Sequence, residues 1–245
     1  MTYLLLICVA ENVQLSPEQS AAVGPATDAW VGEMDGRGVR REGAPLGPVR
    51  EAAVVRVRDG EVLVSDGPFA ETKEQMAGYD VVECSSLDEA IEVAAKHPVA
   101  QFGAVEVRPF DRGGWWRAAD RRGQGDDPEY LMIHCLDETA PLDPADDCEV
   151  PGSAAARAQQ ACDDETYARG LKLAGGRLQP ASAARTVRVR EGAVLVTDGP
   201  FAETKEQVAG FNVLACPSLA DAVEIASQHP TARFGTLELR PFAQE

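Results

Sequence analysis

Basic residues are scarce in this chain, metal-binding cysteine pairs are absent, and no apolar run is long. Of 245 residues, 23 are Lys or Arg against 40 Asp or Glu, a formal net charge of −17. Neutralising phosphates takes clustered basic side chains, so neither nucleic acid nor an anionic membrane is expected as a direct ligand. Neither half hides a basic module. Residues 1–122 carry 13 basic and 20 acidic side chains, and residues 123–245 carry 10 and 20. No segment approaches the roughly 18–20 apolar residues that cross a bilayer. The opening stretch, MTYLLLICVA, lacks a basic leader region and runs straight into Glu11. It reads as a first strand rather than a secretory signal. The six cysteines, at 8, 84, 135, 148, 162 and 216, contain no CxxC pair and are too few for a disulfide scaffold. A cytoplasmic protein with reduced thiols is expected, with no metal and no cofactor.

What is present is a repeat. Asp66–Gln75 reads DGPFAETKEQ, and Asp198–Gln207 reads the same ten residues 132 positions later. Without a gap, Asp66–Phe110 matches Asp198–Phe242 at 28 of 45 positions. The first strands match at an offset of 127, Tyr3–Cys8 against Tyr130–Cys135, so the second copy carries about five extra residues near its first helix. The organisation expected is a first domain over 1–110, a linker over 111–128 and a second domain over 129–245. Trp115 and Trp116 are unusual for a flexible linker. They either clamp it onto a domain or form an exposed contact patch.

Within each copy the local signals are clear. Tyr3–Val9 is an apolar strand. Ser16-Pro17-Glu18-Gln19 is a capping box with Pro at the first helical position, opening a helix to about Asp35 with a break expected at Gly24-Pro25. A short extended piece comes next, at 43–46. Val54–Arg58 and Glu61–Ser65 alternate and are joined by Asp59-Gly60, a hairpin signal. Gly78–Cys84 is a strand. A second capped helix runs from Ser86 to about His97, stopping at Pro98, and 103–109 is the last strand. These elements imply an α+β fold of two tandem ferredoxin-like (βαββαβ) units with mainly antiparallel sheets. One sheet face is left without helices, so the two copies are expected to pack sheet to sheet as a pseudo-dimer within the chain.

The candidate functional residues fall into three sets. In the last strand, Val105 and Val107 point one way and Glu106 and Arg108 the other, repeated as Leu237 and Leu239 against Glu238 and Arg240. Each Glu–Arg set is either structural or an anion-binding fork. In the motif, Gly67 allows unusual φ, Pro68 rigidifies the turn, and Asp66 can bond backbone N–H groups two residues on. Asp66, Glu71, Lys73 and Glu74, with Asp198, Glu203 and Lys205 in the second copy, form an ionisable group around an apolar turn. A buried carboxylate there would suit general acid or base work, or the motif is purely architectural. Thr72–Gln75 is expected to cap a short helical turn. The three histidines are His97, His229 and His134. His97 and His229 sit at equivalent helix C-termini, where a histidine interacts favourably with the dipole. His134 stands where the first copy has Ile7. It is either a buried, hydrogen-bonded histidine or an acid/base group in one functional half.

The repeated DGPFAETKEQ, the Gly-aromatic strand, the capped helix and the E-V-R-P-F ending resemble the DGPF subgroup of the YCII-related domain family over nearly all of both copies. The resemblance implies the dimeric α/β-barrel superfamily fold, similar to muconolactone isomerases and small cofactor-free oxygenases. A better understood relative acts as a lactonase and dehydrochlorinase on a muconate-type substrate through a His and Asp pair without metal. In that relative the His lies in the first helix, whereas neither 16–35 nor 153–172 contains one here. Proteins that look like this one are also encoded beside extracytoplasmic-function sigma factors. Two functions therefore stand side by side. One is a binder of a small organic acid or similar metabolite, with metal-free acid/base catalysis by Asp66 or Asp198 and Arg108 or Arg240 holding the anion. The other is a non-catalytic interaction module with a sigma-factor partner. Monomer and homodimer are both compatible with the sequence.

Overall fold

The computed structural model describes residues 1–10, 12–117, 127–140 and 153–243. Two compact units emerge, and their boundaries differ from those of the repeats. The first takes 1–46, 71–114 and 178–203, and the second takes 47–70, 115–177 and 204–245. Each copy has thus given its central hairpin to the unit built around the other.

In the first unit, β1 (Thr2–Ala10) lies between β5 (Glu74–Glu83) and β6 (Ala104–Arg117), and β2 (Arg40–Pro45) pairs with β5. With α1 (Pro17–Gly36) and α2 (Leu87–Lys96), these four strands make the ferredoxin-like unit the element order implies. The hairpin of β9 (Arg185–Arg190) and β10 (Ala193–Asp198), from the second copy, extends it. β9 pairs antiparallel with β6 in the register Val105↔Val187, Glu106↔Thr186, Val107↔Arg185. The second unit repeats the plan. β7 (Glu129–Leu136) lies between β11 (Gln207–Ala215) and β12 (Thr236–Pro241), and β8 (Lys172–Leu178) pairs with β11. β12 receives β3 (Ala53–Arg58), whose hairpin mate is β4 (Glu61–Asp66). Its helices are α3 (Ala154–Ala168), α4 (Leu219–Gln228) and the short α5 (Thr231–Phe234).

Alternation sets the cores. In the first unit Tyr3, Leu5, Ile7, Val105 and Val107 pack under Trp30, Met34, Ala90 and Val93 of the helices, with Val187 of the exchanged hairpin. In the second, Tyr130, Met132, Leu237 and Leu239 pack with Ala222, Ile225 and the exchanged Ala53 and Val55. Both hairpin turns use a non-glycine residue at positive φ before a glycine, Asp59 at 53° and Gly60 at 83°, Glu191 at 52° and Gly192 at 78°. That backbone matches the strand twist. Among the described residues no helix is long and apolar enough to cross a membrane.

Four local expectations are corrected. α1 does not break at Pro25. The carbonyl that loses its partner there belongs to Ala21, which is exposed and so open to solvent. Thr72–Gln75 forms no helical turn, because Glu74 already opens β5 and pairs with Arg188 at 2.6 Å. The start of the presumed linker is strand, since β6 continues through Trp115 and Trp116 to Arg117. The rest of it, 118–126, and Cys148 lie outside the described residues. Finally, His97 is not a cation on a helix dipole. Its Nδ1 accepts the Val99 N–H at 3.2 Å, capping the turn at Pro98–Gln101, and Trp30 packs edge-on against the ring at 4.7 Å. Burial lowers its pKa to about 4, so the ring stays neutral and can accept.

That shift carries a sign. A base whose pKa falls on folding contributes stability that is complete above its unfolded pKa, about 6.5, and is lost as pH drops toward 4. Between pH 7 and 5 the loss from His97 amounts to roughly 2 kcal/mol. Asp80, raised to about 6 chiefly by burial, works in the opposite direction. The difference between wild type and His97→Asn, which keeps an acceptor for the cap, isolates the His97 share. Urea titrations at several pH values should show a shallower loss of stability on acidification in the variant.

Candidate functional site

The DGPF turn meets the Glu–Arg pair of the other copy. Gly67 and Gly199 sit at φ 89° and 90°, a region that glycine enters without strain. Their N–H groups bond the Ala52 and Ala184 carbonyls at 2.9 and 3.0 Å. The adjoining proline aims the next N–H inward. Phe201 N–H donates to Glu106 Oε2 at 2.9 Å, and Phe69 N–H to Glu238 Oε2 at 2.8 Å. Glu106 Oε1 takes Arg108 Nε and a terminal nitrogen at 3.0 and 2.6 Å, while Glu238 Oε1 takes Arg240 at 3.3 Å. Arg108 also donates to the Gln179 carbonyl and Arg240 to the Gly47 carbonyl. All four residues are 2% exposed or less. Both arginines donate to internal acceptors and hold the hairpin in place, although Arg240 Nε is enclosed without a partner. Burial raises the Glu238 pKa, opposed by the Phe69 N–H and by Arg240.

Of the remaining ionisable motif residues, Glu74 and Glu206 are half-buried and pair with Arg188 and Arg56, and the others lie outward. Asp66 is exposed, and Asp198, 89% exposed, reaches Arg185 Nε at 3.0 Å. Glu71, Lys73, Glu203 and Lys205 are also exposed. The structure thus draws Glu106 with Arg108 and Glu238 with Arg240 together, but does not enclose the acidic and basic residues of the motif around them.

A different cluster appears on the helix-covered face of the second sheet. Gly38 and Gly170, at φ 67° and 69°, anchor the alignment of the two copies at an offset of 132. At that offset Trp30, Val31 and Met34 of α1 correspond to Cys162, Asp163 and Thr166 of α3, Asp80 to Asn212, and Arg40 to Lys172. Ile7 corresponds to His134. The first unit packs Ile7, Trp30 and Met34 into its apolar core and pairs Arg40 with buried Asp80 at 2.6 Å. The second fills the same region with polar groups. His134 and His229 lie with ring centroids 4.6 Å apart. His229 Nδ1 accepts the Thr231 N–H at 3.3 Å, and its Nε2 is 3.2 Å from the Gln159 amide. Buried Lys172 pairs with Asp163, and its ammonium lies 5.3 Å from the centre of the Trp116 ring.

Satisfaction in this cluster is incomplete. His134 Nε2 and Asn212 Oδ1 are enclosed and have no hydrogen-bond partner, although His134 keeps part of its surface at solvent. Such atoms cost about 1–3 kcal/mol each when left unpaired. Burial above all, then His229 and Lys172, hold the His134 pKa well below the ordinary histidine range, against a smaller opposing effect of the Asn212 amide. Burial likewise lowers His229 to about 4. At neutral pH the two rings are uncharged, beside a lysine cation. Sequence reasoning singled out His134 but missed Asn212, Lys172, Asp163 and Gln159. Part of the signal was available in the repeat, where Asp163 replaces Val31 and Asn212 replaces Asp80, whereas Lys172 for Arg40 and Gln159 for Thr27 are polar-for-polar exchanges that sequence comparison does not single out.

These placements make two outcomes testable. Glu106→Ala leaves Arg108 buried without its carboxylate and should cost about 3–5 kcal/mol in urea unfolding. Asp66→Asn and Asp198→Asn, on exposed carboxylates, should leave the unfolding midpoint unchanged.

The comparisons agree with the repeat. The YCII-related domain matches residues 1–111 and again 142–244. An uncharacterised protein of Rhizobium meliloti (strain 1021) is 42% identical, over a match spanning 34% of this chain and 82% of that protein. A solved structure of a candidate chlorite dismutase superposes over 99% of this chain and 94% of its own, with a TM-score of 0.45 and 8% identity, a level that bears on neither fold nor activity. With two matches that together span most of its length, the chain belongs to the YCII-related domain family.

Proposed function

We propose that this protein binds a small organic acid or similar metabolite, and that its second unit is the working half. The observation that carries this is the enclosed, unpartnered Nε2 of His134, in a region that the first unit fills with Ile7 and Trp30. A polar group that lowers stability and is present in one copy only is what a retained binding group looks like. Lys172 supplies the positive charge for a carboxylate, partly offset by Asp163, whose side chain is 37% exposed and can turn to water. Trp116 offers an aromatic face beside it.

The chemistry such a site supports is metal-free proton transfer. A neutral imidazole accepts a proton, and desolvation by burial keeps it neutral at pH 7. His134 is the base in this reading, in place of Asp66 and Asp198, which lack enclosure. The buried Glu–Arg pairs serve the architecture.

His134→Ile, which restores the residue of the first copy, separates the readings. It should raise the unfolding free energy by about 1–3 kcal/mol, the cost of an enclosed unpaired polar atom. It should also abolish the response to a panel of small mono- and dicarboxylic acids, monitored by thermal stabilisation and tryptophan fluorescence. An acid that stabilises wild type and His134→Ile alike would sink the proposal, as would a panel that moves neither protein.

A further inference from the structure

Among the described residues, the exposed large hydrophobic side chains, Met1 apart, all lie on two strands. Val62, Leu63 and Val64 are 50%, 48% and 51% exposed on β4, and Val194, Leu195 and Val196 are 52%, 48% and 43% exposed on β10. Consecutive strand residues point to opposite faces, so both faces of each strand are apolar and open. Each strand is also a sheet edge, β4 pairing with β3 and β10 with β9 alone. Free edges offer a row of unpaired N–H and C=O groups, and soluble proteins ordinarily blunt them with lysine, proline or a bulge. Neither EVLVSD nor AVLVTD contains any of these.

We infer that β4 of one copy of this chain pairs antiparallel with β10 of another. The two edges fit in phase, because Leu63 and Leu195 hold equivalent hairpin places, opposite Arg56 and Arg188. Centring the pair on these leucines sets Val62 against Val196 and Val64 against Val194. It also sets Glu61 against Thr197 and Asp66 against Gly192, so no carboxylate faces another. That avoids the like-charge apposition that destabilises cross-strand pairs. A six-residue edge is a small interface, so association is reversible and concentration-dependent. The net charge of −17 opposes it, so salt strengthens it by screening.

Sedimentation velocity of the full chain tests this. Wild type should shift from 26.1 kDa toward multiples of that mass as concentration rises, and further at higher salt. The double variant Leu63→Lys/Leu195→Lys, both at exposed sites, should stay at 26.1 kDa while retaining the wild-type circular dichroism and melting temperature. Wild type that remains a monomer at every concentration overturns the inference and leaves the edges to a different protein partner. So does assembly that persists in the double variant, or that weakens with salt. Should the lysines disturb the fold, Leu63→Thr/Leu195→Thr, which keeps β propensity and removes the apolar surface, is measured the same way.

Discussion

A buried carboxylate holds this architecture together. Glu106 and Glu238 each stand in a last strand with almost no exposure, and each divides its two oxygens between an arginine two residues along and the N–H of the phenylalanine in the exchanged motif. An ionised carboxylate out of water must be satisfied at both oxygens. The DGPF turn is built to deliver that N–H: a left-handed glycine anchors the backbone and the proline directs the next peptide group. The same bond ties a hairpin from one copy to the sheet of the other. The motif thus acts as a latch, which gives its glycine, proline and phenylalanine a structural role while Asp66, Glu71, Asp198 and Glu203 point to water.

With the latch repeated, the copies are free to differ elsewhere, and one group of differences gathers on the helix-covered face. The first unit closes its helix-covered face with Ile7, Trp30 and Met34, and neutralises Arg40 with Asp80. The second replaces all five, gaining a neutral histidine at 134 beside the shared His229, a lysine in place of the arginine, and enclosed atoms without partners. Random drift in a core favours volume-conserving apolar exchange. A coordinated change to polar groups, at a stability cost and within one neighbourhood, points to a site. Duplication makes this tolerable, since the first unit and both latches carry the stability.

Much of this was legible in the residues. Periodicity placed the strands and helices, the capping box of Ser16 placed α1, and Asp59-Gly60 with Glu191-Gly192 placed the hairpin turns. Alternation in the last strand correctly separated Val105 and Val107 from Glu106 and Arg108. These signals are local, fixed by spacing within a few residues, and spacing does not depend on what the chain meets later. The repeat, and with it the two-unit plan, was legible for the same reason. His134 was visible as a departure from Ile7.

What the sequence could not decide is which copy each hairpin joins, because intrachain and exchanged pairing bury the same alternating valines. Tertiary structure decided it by setting β9 against β6 and β3 against β12. That choice turned Glu106 and Arg108 from a possible anion site into a latch, and left Asp66 and Asp198 at the surface. It is also the folded chain that brings His229, Asn212, Lys172 and Asp163 around His134. These residues are far apart in the sequence. Their chemistry comes from proximity and burial, which only tertiary structure supplies.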